Sequence, residues 1–115
     1  MTDILHEGQT DVKLKLRVDY DSGVQVTENF LENCTELKIL YKWTKSEADD
    51  VSGDWTATGY EMSGTTPYIY YTFSGDDAVP DDAAGYLVLR AKLTDVNSRV
   101  SMGRLVSIPV LSDSL

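Results

Sequence analysis

An all-β sandwich of about seven antiparallel strands is the fold class that the sequence predicts, with a small β-barrel as the alternative. Several segments alternate apolar and polar residues with a period of two, which is typical of half-buried strands. Residues that favour turns separate these segments at regular intervals, and no segment sustains the 3.6-residue period of an amphipathic helix. At 115 residues, the chain has the length of one domain with a single core.

The first part of the chain contains two clear strand patterns. Residues 12–20 (VKLKLRVDY) alternate until the turn-forming residues 21–23 (DSG). Residues 37–43 (LKILYKW) alternate again, and Trp43 is predicted to anchor the core. The intervening residues 27–33 (TENFLEN) form a segment too short to be assigned to a helix or to a loop.

The middle of the chain predicts a loop, a short strand and a longer aromatic strand. Residues 45–54 (KSEADDVSGD) are charged and contain glycine, so we expect an exposed loop before a short strand at residues 55–58 (WTAT). After a turn at residues 63–67, the β-branched and aromatic residues 68–73 (YIYYTF) predict a strand. Residues 74–84 (SGDDAVPDDAA) hold four aspartates and are predicted to form a surface crossover without a packed face.

The last third of the chain predicts two antiparallel strands. The first, over residues 86–94, has an apolar face made by Leu87, Leu89, Ala91 and Leu93. Residues 95–98 (DVNS) favour a hairpin turn into a last strand over residues 99–110. Gly103 is predicted to mark a bulge in that strand, and Pro109, which has no N–H, predicts that the strand lies at a sheet edge or ends there.

These patterns divide the chain into an N-terminal arm (residues 1–9), a single β-sandwich domain (residues 10–112) and a C-terminal tail (residues 113–115). The arm lacks the basic and then apolar layout of a signal peptide. No segment approaches the ~20 apolar residues of a membrane-spanning helix. We therefore expect a protein that is soluble where it is made.

The chain is strongly acidic, with 10 Lys and Arg residues against 19 Asp and Glu residues and a formal net charge of −9. Such a charge repels phosphates and anionic lipids, so neither a nucleic acid nor a membrane is expected as a partner. The single cysteine, Cys34, excludes an intrachain disulfide and fits a reducing cytoplasm. We expect Cys34 to be a small buried side chain rather than a reactive thiol.

Catalytic and metal-binding patterns are not found in the sequence. The one histidine, His6, lies in the predicted arm, where precise placement beside a nucleophile is not expected. A single cysteine and a single histidine cannot close a zinc site, and no glycine-rich phosphate loop occurs. We therefore predict no enzyme activity and no cofactor.

Two surface features leave other ligands open. The paired acids at residues 49–50, 76–77 and 81–82 could hold calcium, although they lack the spacing of an EF-hand and are expected to be solvated loop tips. The aromatic residues could form a stacking platform for a sugar or a peptide, or could pack across strands within the sandwich. They are Trp55, Tyr68, Tyr70 and Tyr71.

Three stretches that cover most of residues 12–110 carry a resemblance to known proteins. They are VKLKLRVDYDSG followed by LKILYKW, WTAT before TTPYIYYTFSGDD, and DDAAGYLVLRAKLTD with the closing RLVSIPV. The third contains the turn Asp82-Ala83-Ala84-Gly85-Tyr86 into the penultimate strand. In these stretches the chain resembles small immunoglobulin-like domains of tailed-bacteriophage structural proteins, especially the N-terminal domain of baseplate upper proteins and related tail or fibre-attachment modules.

The resemblance implies an immunoglobulin-like sandwich that is assembled in the bacterial cytoplasm into a virion and has no enzyme activity. Its partners would be other virion proteins in symmetric multiple copies, in a tail, baseplate or fibre base. Partner contacts are predicted at the arm with His6, at the acidic loop with Asp76 and Asp77, and at the edge near Pro109. A capsid decoration protein on the head is one alternative, and a carbohydrate-binding module that recognises host surface glycans is another.

Overall fold

The computed structural model describes residues 4–19, 26–73 and 78–112, and within these ranges the chain is nearly all β-structure. The strands are β1 (Leu5–His6), β2 (Val12–Arg17), β3 (Glu36–Lys45), β4 (Val51–Thr56), β5 (Gly59–Ser63), β6 (Thr66–Phe73), β7 (Gly85–Thr94), β8 (Val100–Met102) and β9 (Val106–Leu111). One short helix, α1 (Glu28–Glu32), precedes β3. No helix in the described ranges is long and apolar enough to cross a membrane.

The strands form two sheets, and this confirms the predicted sandwich. The large sheet has the order β1-β9-β7-β3-β4, with β8 also paired to β7, and the small sheet has the order β2-β6-β5. The small sheet corresponds to strands B, E and D of an immunoglobulin domain, and β9-β7-β3-β4 correspond to G, F, C and C′. The sandwich is therefore immunoglobulin-like in its strand order.

The core lies between the two sheets and is made by alternate residues of the central strands. Leu14 and Leu16 of β2 face inward from the small sheet, and Leu87 and Leu89 of β7 face inward from the large sheet. Trp43 on β3 is buried, as predicted, at the strand where immunoglobulin domains place their core tryptophan. The period-two patterns of the sequence therefore correctly identify the buried faces.

Two elements in the first half differ from the sequence prediction. The loop predicted at residues 45–54 is shorter, because Lys45 still belongs to β3 and β4 already begins at Val51. Strand β5 was not predicted, and its residues are exposed or only half-buried because it is an edge strand with little apolar content. The unassigned segment contains α1, whose N-cap Thr27 accepts a hydrogen bond from the backbone N–H of Phe30 at 3.2 Å.

The prediction of a separate N-terminal arm is wrong for the part that the structure describes. Leu5 is buried in the core, and β1 runs parallel to β9 with Leu5 paired to Val110 and His6 paired to Leu111. The backbone N–H of Glu7 donates to the carbonyl of Leu111 at 2.9 Å. A two-residue strand is too short to show an alternating pattern, so sequence periodicity could not reveal it. Residues 1–3 and the predicted tail, residues 113–115, lie outside the described ranges.

The predicted surface crossover also contributes to the core. Its described part includes Val79 and Ala83, and both side chains are buried. Val79 exchanges backbone hydrogen bonds with the start of the chain: Gly8 N–H donates to the Val79 carbonyl at 2.9 Å, and Val79 N–H donates to the Gln9 carbonyl at 3.0 Å. An aspartate-rich loop therefore contributes two apolar side chains to the core, and its acidic composition gave no indication of this.

The predicted last strand is interrupted at the predicted bulge. Strands β8 and β9 both pair with β7, and residues 103–105 face residues 90–91, so three residues oppose two. This is the extra residue of a β-bulge, and it confirms the interpretation of Gly103. On one side of β9, Pro109 pairs with Tyr86 of β7. On the other side, β1 is the only described strand, and it pairs only with Val110 and Leu111. Residues 106–109 of β9 therefore form an edge, as predicted.

Candidate protein-binding surface

The outer face of the large sheet carries the outward side chains of β3, β7, β8 and β9. Successive side chains of a strand point to opposite faces of the sheet. The residues directly before and after each buried core residue therefore point outward. Register places Leu40 opposite Arg90, Lys42 opposite Val88, and Tyr86 opposite Pro109. We call this surface the outer face. Its members named below are Lys38, Leu40, Lys42, Tyr86, Val88, Arg90, Lys92, Met102 and Pro109.

Cations dominate the charged groups of the outer face although the chain as a whole is acidic. Lys38 and Lys92 lie directly opposite each other in the β3–β7 register, and like charges at such positions repel. Lys38 lies 3.9 Å from a carboxylate oxygen of Glu36 and 3.6 Å from one of Asp54, whereas Lys92 has no ion pair with any described residue. Lys42 lies 3.7 Å from a carboxylate oxygen of Asp50, so Lys92 is the lysine of the outer face whose charge no described carboxylate neutralises.

An apolar depression of about 230 Å³ lies among these cations. Leu40, Val88, Met102 and Leu105 supply its apolar lining, and 67% of Leu105 is exposed. Tyr86, on the same face, is 54% exposed, so it does not pack into a corner of the core as the tyrosine of immunoglobulin domains does. Aromatic, methionine and arginine side chains are enriched in protein interfaces, and all three occur here.

The outer face of the small sheet has the opposite character, because its polar groups satisfy one another. Lys13 and Lys15 both form ion pairs with Glu61, and the Lys15 pair has a distance of 3.2 Å. The same two ammonium groups lie over aromatic rings, Lys13 at 4.1 Å from the centre of Tyr70 and Lys15 at 4.7 Å from the centre of Tyr68. Charge and aromatic surface on this side are therefore already paired within the chain.

Trp55 is enclosed by other rings and does not form an open stacking platform. Its ring stacks on Tyr41 with centroids 4.1 Å apart and on Tyr71 with centroids 4.6 Å apart, and Phe73 meets it edge-on at 5.3 Å. A sugar would need one free face of the indole, and here both faces are covered. Trp55 and Tyr71 therefore pack across the strands, which is one of the two uses that the sequence left open.

The end of the sandwich near Lys45 is acidic. A depression of about 530 Å³ is lined there by Glu7, Glu47, Asp81 and Asp82, among others. The buried Lys45 ammonium donates to Asp82 at 2.8 Å, and this hydrogen bond, with the lysine charge, lowers the pKa of the Asp82 carboxyl. Among the described residues, no cluster of His, Cys, Asp and Glu could hold a metal ion.

Asp82→Asn is expected to lower the free energy of unfolding at neutral pH and to have no effect in strong acid. Because the folded state lowers the pKa of Asp82, its carboxylate stabilises the fold above the unfolded-state pKa of about 3.9. That contribution is lost as the pH falls through the lower folded-state pKa. Urea unfolding at about pH 7 and about pH 2 measures the difference. Asp81→Asn is the control, and a deficit that is equal at both pH values would contradict the role of Asp82.

The predicted contact residues separate into two groups. His6 and Pro109 are both exposed and lie at one corner of the outer face, since His6 pairs with Leu111 and Pro109 pairs with Tyr86. Asp76 and Asp77 lie outside the described residues. The sequence interpretation missed Lys42, Arg90, Lys92 and Met102, although the cations are the outward members of the patterns LKILYK and LVLRAK.

Cys34 lies just before β3, at the end of the sandwich away from His6. It is half-buried rather than fully buried, and this burial, together with the nearby charge of Asp95, raises the pKa of its thiol. A raised pKa lowers the thiolate fraction at neutral pH, so the prediction of an unreactive thiol has a physical basis.

Comparisons of the chain with protein-family models, with curated proteins and with solved structures find no match. The immunoglobulin-like arrangement is visible in the strand order alone. Function must therefore be inferred from the surface chemistry of this chain and from the sequence patterns described above.

Proposed function

We propose that this chain is a non-enzymatic structural protein of a tailed-bacteriophage virion, which docks on neighbouring subunits through the outer face of its large sheet. The observation that carries the proposal is a cationic and apolar surface on a domain whose net charge is −9. The sequence stretches that resemble phage tail and baseplate domains supply the biological setting, and the immunoglobulin-like strand order agrees with them. A tail, baseplate or fibre base is the favoured location.

The partner is expected to present acidic and apolar side chains to this surface. Lys38 and Lys92 repel each other in the isolated domain, and a carboxylate from outside would relieve that repulsion. Apolar side chains of the partner would fill the depression between Leu40 and Leu105. Two copies meeting face to face would bring cations against cations, so a different subunit is the better occupant.

The absence of enzyme activity is part of the proposal. A nucleophile needs a base within hydrogen-bonding reach, and Cys34 and His6 lie at opposite ends of the sandwich. The His6 backbone N–H donates to the side chain of Gln9 at 3.0 Å, and the residue is exposed. These placements support a role in assembly rather than in chemistry.

Lys92→Glu is expected to reduce incorporation of the chain into phage particles by at least about tenfold, because it replaces attraction to an acidic partner by repulsion. Mass spectrometry of purified particles of the phage that encodes the chain measures the copy number, and electron microscopy locates it. Lys13→Glu makes the same charge change on the small sheet and is expected to leave incorporation unchanged. Thermal melts of both variants show that the fold is retained.

The outcomes separate the two parts of the proposal. If the wild-type chain is missing from the particles, the virion role is wrong. If the chain is present and Lys92→Glu enters particles as well as Lys13→Glu does, the virion role stands and the outer face is not the docking surface.

A further inference from the structure

A second concave site lies on the side of the sandwich where β2 faces the interruption between β8 and β9. It encloses about 410 Å³. Its lining is formed by Arg17, Asp19, Tyr68, Arg104, Leu105 and Val106. Arg17 is the last residue of β2 and pairs with Tyr68 of β6, whereas Val106 begins β9. The site therefore lies where described residues of the two sheets come together.

Asp19 is the centre of this site, and it is only 3% exposed. Its Oδ2 accepts from Arg104 Nη2 at 2.8 Å and lies 3.2 Å from Arg17 Nε. Its Oδ1 is buried and has no hydrogen-bond partner among the described residues. Both guanidinium groups therefore converge on one oxygen, and neither forms the bidentate pair that arginine and carboxylate usually favour.

The bulge is what brings Arg104 to Asp19. The extra residue at positions 103–105 interrupts the pairing with β7, which resumes at Val106. Bulges commonly redirect side chains in this way. A Cβ atom at Gly103 would lie 3.0 Å from the carbonyl oxygen of Asp19 and 3.3 Å from the Ala91 side chain, so glycine allows this close approach without displacing either neighbour. The local geometry holds the second arginine beside the first.

We propose that this site binds a carboxylate group that is attached to an apolar group. Side chains of Arg17 and Arg104 are 51% and 54% exposed; Asp19 accepts one N–H of Arg104 and lies at ion-pair distance from Arg17 Nε. Each guanidinium group carries five donors, so both retain N–H groups for a ligand. Tyr68, Leu105 and Val106 form the wall that would contact the apolar part.

Charge selects a carboxylate over a phosphate. Two guanidinium groups and one carboxylate leave a single positive charge in the site, which a monovalent anion neutralises. A divalent phosphate would leave an excess negative charge on a chain whose net charge is already −9. The planar fork of arginine matches carboxylate and phosphate alike, so the charge balance makes the distinction.

The inference does not depend on the proposed role in a phage particle, because small carboxylates test it directly. Nuclear magnetic resonance of the full ¹⁵N-labelled chain would follow the arginine Nε–Hε signals and the amides of residues 104–106. N-acetyl-leucine is the first probe, and N-acetyl-leucinamide, which lacks the carboxylate, is its matched control. N-acetyl-glutamate α-amide represents an acidic side chain instead of a chain terminus, and inorganic phosphate represents the other anion class.

Saturable shifts with N-acetyl-leucine or with the glutamate derivative, and none with the amide, are expected. The tighter of the two carboxylates identifies a chain terminus or an acidic side chain as the natural source. Arg104→Gln is expected to weaken binding by at least about tenfold, and Arg104→Lys, which keeps the charge without the fork, by several-fold. Arg99→Gln, at the hairpin outside the site, is expected to bind like the wild type.

Three results would overturn the proposal. They are the absence of saturable shifts with both carboxylates, equal shifts with the leucine amide, and tighter binding of phosphate than of either carboxylate. If Arg104→Gln fails to fold, Arg104→Lys and the probe series on the wild type still decide the question.

Discussion

Gly85→Ala is expected to remove most of the stability of the domain. Gly85 has a φ of +141°, a region that residues with a Cβ rarely adopt, and a Cβ atom would lie 2.2 Å from the carbonyl oxygen of Thr44. The contact is with backbone, so no side-chain rotation relieves it. Backbone strain and overpacking each cost ~1–3 kcal/mol, and their sum of ~2–6 kcal/mol reaches the lower end of the ~5–15 kcal/mol that a typical domain has.

The position of Gly85 makes the loss global. It pairs with Lys45 on β3 and with Val110 on β9, so a displacement there opens two ladders of the large sheet at once. Urea unfolding followed by far-ultraviolet circular dichroism measures the effect. Gly64→Ala is the control, because Gly64 also has positive φ, +63°, but a Cβ there meets nothing within 4 Å. Equal losses in the two variants would show that φ strain alone is important and that the close approach to Thr44 is not.

Period-two alternation was sufficient to predict the main strands of the fold. The inward residues of β2, β3 and β7 are those that the pattern assigned to the core, because a strand with one buried face alternates apolar and polar residues. The Gly103 bulge was also predictable, since a glycine inside a strand pattern commonly marks a bulge or a close approach of two backbones. Both signals are local, and each needs only a few consecutive residues.

The elements that the sequence missed are fixed by contacts between distant parts of the chain. Leu5 is buried because β9 ends beside it, and Val79 is buried because the Gly8–Gln9 segment pairs with its backbone. Neither residue has an alternating neighbourhood, and Val79 stands among aspartates. Local composition predicts exposure for both, and only the tertiary arrangement reverses it.

The two candidate sites depend on register, which a single sequence does not specify. Lys38 and Lys92 are 54 positions apart, and their opposition follows from the pairing of β3 with β7. Likewise, Arg17 and Arg104 meet at Asp19 only because the bulge interrupts the last strand. His6 and Pro109 were chosen as residues of an arm and an edge, and the sheet brings both to the outer face.

Trp43→Ala is expected to lower the free energy of unfolding by ~3–5 kcal/mol, the usual range for the loss of a large buried aromatic side chain. Trp43 is buried on β3, and its ring lies within 6.5 Å of the ring centroids of Tyr41, Trp55 and Phe73. The substitution removes a buried ring from β3 and leaves a cavity between the sheets. Urea unfolding followed by the fluorescence of the remaining Trp55 measures the loss.

Two further variants test whether burial at Trp43 causes that loss. Trp43→Phe keeps much of the apolar contact and is expected to cost ~1–2 kcal/mol, because less apolar area is lost. Trp55→Ala removes a ring of the same size from a half-buried stack and is expected to cost less than Trp43→Ala. If Trp55→Ala proves the more damaging of the two, the Tyr41–Trp55–Tyr71 stack, rather than the β3 tryptophan, holds the sheets together.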